Sequence, residues 1–193
     1  MRHFFAVIVV VLGLGILASA QVPTAGNIFL GYSYFNADTN LSNRTNLNGW
    51  NGSLEGKVFP FVGIVADIGQ YYGKEDFQNA CGGVPAPIPP APVLCVYDSR
   101  TLTAMFGPRV SFSVGKLRPF ANVLIGAGHW NGTISGGGSS TSDTSLADAF
   151  GGGIDYHLIP LIAWRVQADE VQTRFFHATQ NNFRLSTGIV FHF

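Results

Sequence analysis

Charged side chains are few in this sequence, and they recur at a spacing of two. Glu55 stands two residues before Lys57, Arg165 and Asp169 flank Gln167 at the same spacing, and Asp67, Arg109 and Arg184 each sit among apolar or small neighbours. In an extended chain, residues two apart share a face, so these positions form charged faces that can neutralise one another only across a common interior. A buried charge left without its partner costs roughly 3 to 5 kcal/mol, and the seven residues Glu55, Lys57, Asp67, Arg109, Arg165, Asp169 and Arg184 are therefore expected to pair. Two chemistries fit such a network: a structural plug of crossed salt bridges, which is the reading taken, or an ion gate in a narrow pore. His177 invites a third, because Thr179 follows it and Asp169 and Glu170 precede it. Nucleophilic catalysis needs an activated hydroxyl and an oriented base within hydrogen-bond reach. On a polar loop the simpler reading is a surface histidine. His129, His157 and His192 stand apart without metal-ligand spacing, so no metal, cofactor or catalytic residue is expected.

The elements that must position these charges begin with an export signal. Arg2 precedes an apolar run from Phe4 to Leu17, which ends in Ala18, Ser19 and Ala20. Those are the three parts of a secretory signal peptide, with cleavage expected after Ala20. Residues 1–20 are too short in their apolar part for the roughly twenty residues of a membrane anchor. Cys81 and Cys95 enclose a Gly- and Pro-rich segment of an exported chain, where an even cysteine count favours one disulfide. Closing that loop would remove on the order of 3 kcal/mol of unfolded-state entropy.

Composition narrows the class further. Of 193 residues only 11% are charged, while 24 are glycine and 16 phenylalanine. A soluble domain carries about 25% charged residues. Without residues 1–20, ten Lys and Arg face eleven Asp and Glu, which offers no electrostatic footprint for nucleic acid.

Residues 21–193 read as one domain of alternating segments, each with every second side chain apolar. They are 27–36, 47–59, 61–72, 99–112, 119–130, 146–158, 161–170 and 182–193. Long polar connections follow the odd-numbered segments and tight turns follow the even-numbered ones, so the long loops share one end. Eight short antiparallel strands with that asymmetry predict an all-β fold, an eight-stranded up-and-down transmembrane barrel. Only a closed sheet without helices satisfies every backbone group in hydrocarbon. A lipocalin-type barrel is the soluble competitor, but it would turn its apolar face inward and leave the Glu55/Lys57 and Arg165/Asp169 faces without a shared lumen. Tyr32, Tyr34, Trp50, Tyr71, Tyr72, Trp130 and Tyr156 near the strand ends fit interfacial girdles.

The final segment, Phe183 to Phe193, resembles the C-terminal signal of outer-membrane proteins: Ser186, Gly188, Phe191 and Phe193 match its polar residue, glycine and two aromatics. Residues 118–128 and 149–156 resemble strands of small barrels similar to the transmembrane domain of outer membrane protein A, without that protein's periplasmic domain. The resemblance implies residence in the outer membrane of a Gram-negative type cell, contact with its lipid and lipopolysaccharide, and recognition by the barrel assembly machinery. It implies a monomer displaying four loops, structural and non-enzymatic. A narrow ion or small-solute pore and a lipid A-modifying enzyme remain the alternatives. The lipid A deacylase among such barrels uses His, Ser and Glu near the outer rim, where this chain has His177 with threonine.

Overall fold

The computed structural model describes residues 25–38, 44–78, 94–134 and 140–193. The expected signal segment with Ala20 lies outside the described residues, and so does Cys81, and with it the expected pairing to Cys95. Strict alternation produces eight strands: β1 (Gly26–Asp38), β2 (Arg44–Phe59), β3 (Val62–Gln78), β4 (Leu94–Ser111), β5 (Leu117–Ile134), β6 (Ser140–Ile159), β7 (Ile162–Thr173) and β8 (Gln180–His192). Each is antiparallel to its neighbours in sequence, and β1 also pairs with β8 from Asn27 opposite His192 to Asn36 opposite Phe183, which closes the sheet. Backbone bonds Gly26 N to Phe193 O (2.9 Å) and Phe193 N to Gly26 O (3.1 Å) extend that seam. The result is an all-β, eight-stranded, antiparallel up-and-down barrel with no free edge to template other chains.

The strands are longer than the apolar alternation suggests, from 12 residues in β7 to 20 in β6. β3 continues past Tyr72 to Gln78, β4 begins at Leu94 rather than Ser99, and β6 begins at Ser140 rather than Leu146. Segments expected as loops are therefore in part paired hairpin. The physical reason is that alternation marks a strand only while its two faces meet different surroundings. Past the apolar zone the two faces of a hairpin no longer meet different surroundings, and the ladder goes on without the signature.

Three connections are short and share one end: Pro60-Phe61, Phe112 to Lys116, and Pro160-Leu161. Register shifts between Lys57 and Phe59 and between His157 and Ile159 precede the two proline turns, so a residue with no N–H to donate falls outside the ladder. In the third turn Gly115 has φ +62, a backbone state that glycine adopts without steric penalty.

Side chains sort by parity. Outward stand Ile28, Leu30, Leu54, Ile64, Phe106, Val123, Ile125, Phe150, Ile154 and their counterparts on every other strand, all exposed. Inward stand Glu55, Asp67, Arg109, Arg165, Asp169 and Arg184, all buried. An apolar cluster shares the lumen with them: Phe35, Leu47, Val65, Tyr71, Met105, Leu124 and Val171 are buried together, with the Phe35 and Tyr71 rings stacked at 4.3 Å. Eight strands enclose a space that side chains can fill, and these charged and apolar side chains are buried in it.

Two expected girdle residues take the other face. Tyr71 is fully buried and Trp130 is 8% exposed, both inward. Tyr71 shares its parity with Asp67 and Gly69, and Trp130 with Asn122 and Gly128, so strand phase overrides the preference of an aromatic ring for an interface. Tyr32, Trp50, Tyr72 and Tyr156 do point outward. Tyr34 is half-buried, and its hydroxyl donates to Asn46 Oδ1 at 2.6 Å.

Candidate functional site

The lumen charges form two tiers. In the tier nearer the long connections, Arg184 from β8 reaches across to two strands: Nη1 lies 2.7 Å from Asp67 Oδ1 and Nη2 lies 2.8 Å from Asp169 Oδ2. Its Nε donates to Asp169 Oδ2 at 2.9 Å, and Nη1 also meets the Tyr71 hydroxyl at 3.3 Å. Amides complete the tier, since Asn51 Nδ2 donates to Asp67 at 3.1 Å and Gln167 Nε2 to Asp169 at 2.8 Å.

The tier nearer the short turns is built on Glu55. It accepts from Arg109 at 3.3 Å and Arg118 at 3.0 Å, and Lys57 Nζ lies 3.4 Å away. Asn27 Nδ2 adds a bond at 2.8 Å. Beside it Arg165 grips Asp155 with two parallel bonds, Nε to Oδ1 at 2.6 Å and Nη2 to Oδ2 at 2.9 Å, the bidentate geometry that makes a guanidinium a strong partner. The Phe120 ring lies under both guanidinium groups, 4.3 Å from Arg109 and 4.6 Å from Arg165. A Cβ on Gly153 would stand 2.8 Å from that ring, so the glycine run of β6 makes room for it.

All seven charges singled out from the sequence thus lie in these tiers, and the structure divides them: Asp67, Asp169 and Arg184 above, Glu55, Lys57, Arg109 and Arg165 below. Two members went unnoticed, Arg118 and Asp155. Both carried a signal, because Arg118 keeps the parity of Phe120, Asn122 and Leu124, and Asp155 that of Gly151 and Gly153.

The histidines expected to stand apart do not all do so. The imidazoles of His157 and His192 stack at the short-turn mouth, with centroids 4.8 Å apart and planes 16° from parallel. They lie 35 positions apart in the sequence, and pairing through β7 brings them together. At the opposite end a single 3₁₀ turn, Phe175–His177, folds over the barrel. Phe175 is buried there, while Phe176 and His177 have positive φ (52° and 63°), uncommon for residues other than glycine. The turn is held by Phe176 N donating to Asp143 Oδ2 at 2.6 Å and Arg174 N to Ser145 Oγ at 3.1 Å. His177 and Thr179 are exposed on it. Among the described residues, no group of three or more His, Cys, Asp or Glu converges as a metal site.

On β8, the four residues of the terminal motif split between faces. Ser186 is buried, its Oγ 2.9 Å from Ser33 Oγ across the closing seam, and Gly188 lies opposite Gly31. Phe191 and Phe193 point outward.

No family model matches the chain, and no curated protein matches it. Solved structures do. Neisserial surface protein A superposes with a TM-score of 0.65 at 13% identity, over 86% of this chain and 97% of that one. Ail, the attachment invasion locus protein of Yersinia pestis, gives 0.57 at 18%, over 86% and 98%. The N-terminal β-barrel domain of Pseudomonas aeruginosa OprF gives 0.51 at 15%, over 87% and 99%. At these identities the likeness is one of fold, and that fold is the eight-stranded outer-membrane barrel.

Proposed function

We propose that this chain is a non-enzymatic integral protein of the outer membrane, a closed barrel that contributes structure to the membrane and displays four loops from its long-connection end. The carrying observation is the separation of faces. Large apolar side chains cover the outside of every strand, as Leu30, Leu54, Ile68, Phe106, Ile125, Phe150, Val166 and Ile189 illustrate, and the charges are paired inside. A soluble monomer rarely exposes an apolar patch beyond a few hundred Å², whereas in lipid such a belt is the favourable outer surface. Outer-membrane lipid and lipopolysaccharide are then its surroundings, reached through the signal of residues 1–20. Heating tests the closure: unboiled protein in SDS is expected to run at a different mobility from boiled protein. Equal mobility would remove the closed barrel and the proposal with it.

The same reading treats the lumen as a plug. Purified, refolded protein is expected to give no discrete conductance steps in planar bilayers. Reproducible steps would favour the narrow pore instead. Overexpression is expected to leave the mass of lipid A unchanged, and a shifted mass would favour an enzyme built around the His177 turn.

Insertion in cells is assigned to the barrel assembly machinery reading Ser186, Gly188, Phe191 and Phe193. Replacing Phe191 and Phe193 together by alanine is expected to reduce the inserted amount in cells more than refolding into lipid without the machinery, where only the lost apolar burial of roughly 1.5 to 3 kcal/mol per ring applies. His192→Ala is the control: it sits between the two rings on the other face, and its stack on His157 is worth only about 0.5 to 1.5 kcal/mol. Equal damage from the control and the double substitution would overturn the assignment of β8's faces.

A further inference from the structure

The tier around Glu55 is not neutral. Four cations, Lys57, Arg109, Arg118 and Arg165, share two carboxylates, Glu55 and Asp155. Arg165 takes Asp155 for itself with both bonds, so the single Glu55 carboxylate serves the other three. Two of them crowd one hydroxyl: Lys57 Nζ stands 2.6 Å from Ser111 Oγ, and Arg118 Nη2 stands 3.0 Å from the same atom. Cations brought this close repel, and the tier holds them with two counter-charges fewer than it has cations.

Of these cations, Lys57 and Arg118 open onto a cavity of about 360 Å³ at the short-turn mouth, which Ser111, Ser113 and His157 also line. Its polar wall is made of the Lys57 ammonium, the Arg118 guanidinium and the Ser111 and Ser113 hydroxyls, and its apolar wall of Pro60, Phe61 and Phe112. The His157 ring carries the stacked His192, whose Nδ1 lies 3.4 Å from Arg118 Nη1. Because a guanidinium only donates, that Nδ1 is the acceptor, which puts the proton on Nε2, and Nε2 is buried without a protein partner. Arg109, fully buried one step above Ser111 on the same face of β4, likewise leaves Nε and Nη2 without a protein partner.

We propose that this mouth is a binding site for a phosphate-type oxyanion. Such a group brings the missing negative charge and several acceptor oxygens to a cup of ammonium, guanidinium and hydroxyl donors, the set that holds phosphate. The cavity exceeds the volume of a free phosphate and takes a phosphate carrying a small substituent. The exposed rings of Phe61 and Phe112 beside it suit a lipid phosphate as well as a soluble one, and both present the same chemistry to Lys57 and Arg118.

The test uses refolded protein in a nonionic, phosphate-free detergent, titrated calorimetrically with inorganic phosphate in one arm and with dihexanoyl phosphatidylglycerol in the other. Saturable one-site binding is expected, weakened about tenfold or more, the size of one charge-assisted hydrogen bond, by Lys57→Gln and by Ser113→Asp. Ser113 is on an exposed turn, so its carboxylate enters the cup without disturbing the tier. The heat-dependent gel shift of each variant confirms that it has folded. Binding of inorganic phosphate assigns a soluble source, and binding of the phosphatidylglycerol alone assigns a lipid one. Saturable binding in neither arm, or binding indifferent to both substitutions, would overturn the site.

Discussion

Replacing Arg184 by methionine is expected to destabilise the refolded barrel by about 3 to 5 kcal/mol, the cost of breaking a buried ion pair from one side. Arg184 has no exposed surface and holds two carboxylates at once, Asp67 at 2.7 Å and Asp169 at 2.8 Å. Methionine fills similar space but supplies no charge, so two buried anions would face each other with only amide donors for support. Urea unfolding in lipid vesicles reads the change as a lower midpoint with an unchanged slope. Adding Asp67→Asn and Asp169→Asn to Arg184→Met is expected to recover most of the loss, because neutral partners of the same shape remove the uncompensated charge. The pair Arg174 with Asp148, at 3.1 Å but with both side chains 41% exposed, provides the contrast: removing it should change stability by about 0 to 1 kcal/mol. An unchanged midpoint for Arg184→Met would mean that the lumen is hydrated enough to carry free charges, which is the condition a pore needs.

Strand identity and phase were legible in the sequence because each strand touches two unlike surroundings. Asn51, Ser53, Glu55 and Lys57 against Trp50, Leu54 and Val58 is enough to orient β2, and the same holds for β4 and β7. What was not legible is which charge meets which. Arg184 bonds Asp67, 117 positions away, and that encounter is decided by the tilt and stagger with which the sheet closes, a property of no single segment. Arg118 escaped notice because it stands next to a turn, where alternation has only just begun. Tyr71 and Trp130 were misassigned for the opposite reason: ring chemistry fits an interface, but the parity of their own strands turns them inward. The His157 and His192 stack, and with it the cationic mouth, appears only once β6, β7 and β8 are in register.

Placing an arginine at Phe106 separates lipid from water on the outside of the barrel by the sign of its effect. Phe106 is 61% exposed and lies in a row across the sheet with Ile28, Leu54, Ala66 and Ile125. Along β4, Phe106 stands six residues from Arg100, the partner of Tyr72, and six from Phe112 in the short turn, so it lies at the middle of the apolar belt. If the belt meets hydrocarbon, Phe106→Arg is expected to cost about 2 to 4 kcal/mol, the penalty of a guanidinium near a bilayer midplane, and an arginine near the interface should cost only about 0 to 1 kcal/mol. Phe61 supplies that second position: it is 62% exposed, as Phe106 is, but sits in the Pro60-Phe61 turn at the edge of the belt. Exposure is thus matched while depth differs, and denaturant unfolding of Phe106→Arg and Phe61→Arg in the same vesicles isolates depth as the variable. On a barrel surrounded by water, both substitutions would replace an exposed ring with a solvated charge and would be neutral or favourable to a similar degree. Equal effects at the two positions would mean that no hydrocarbon gradient exists along the strands, and the outward belt would then need a protein partner rather than a membrane to cover it.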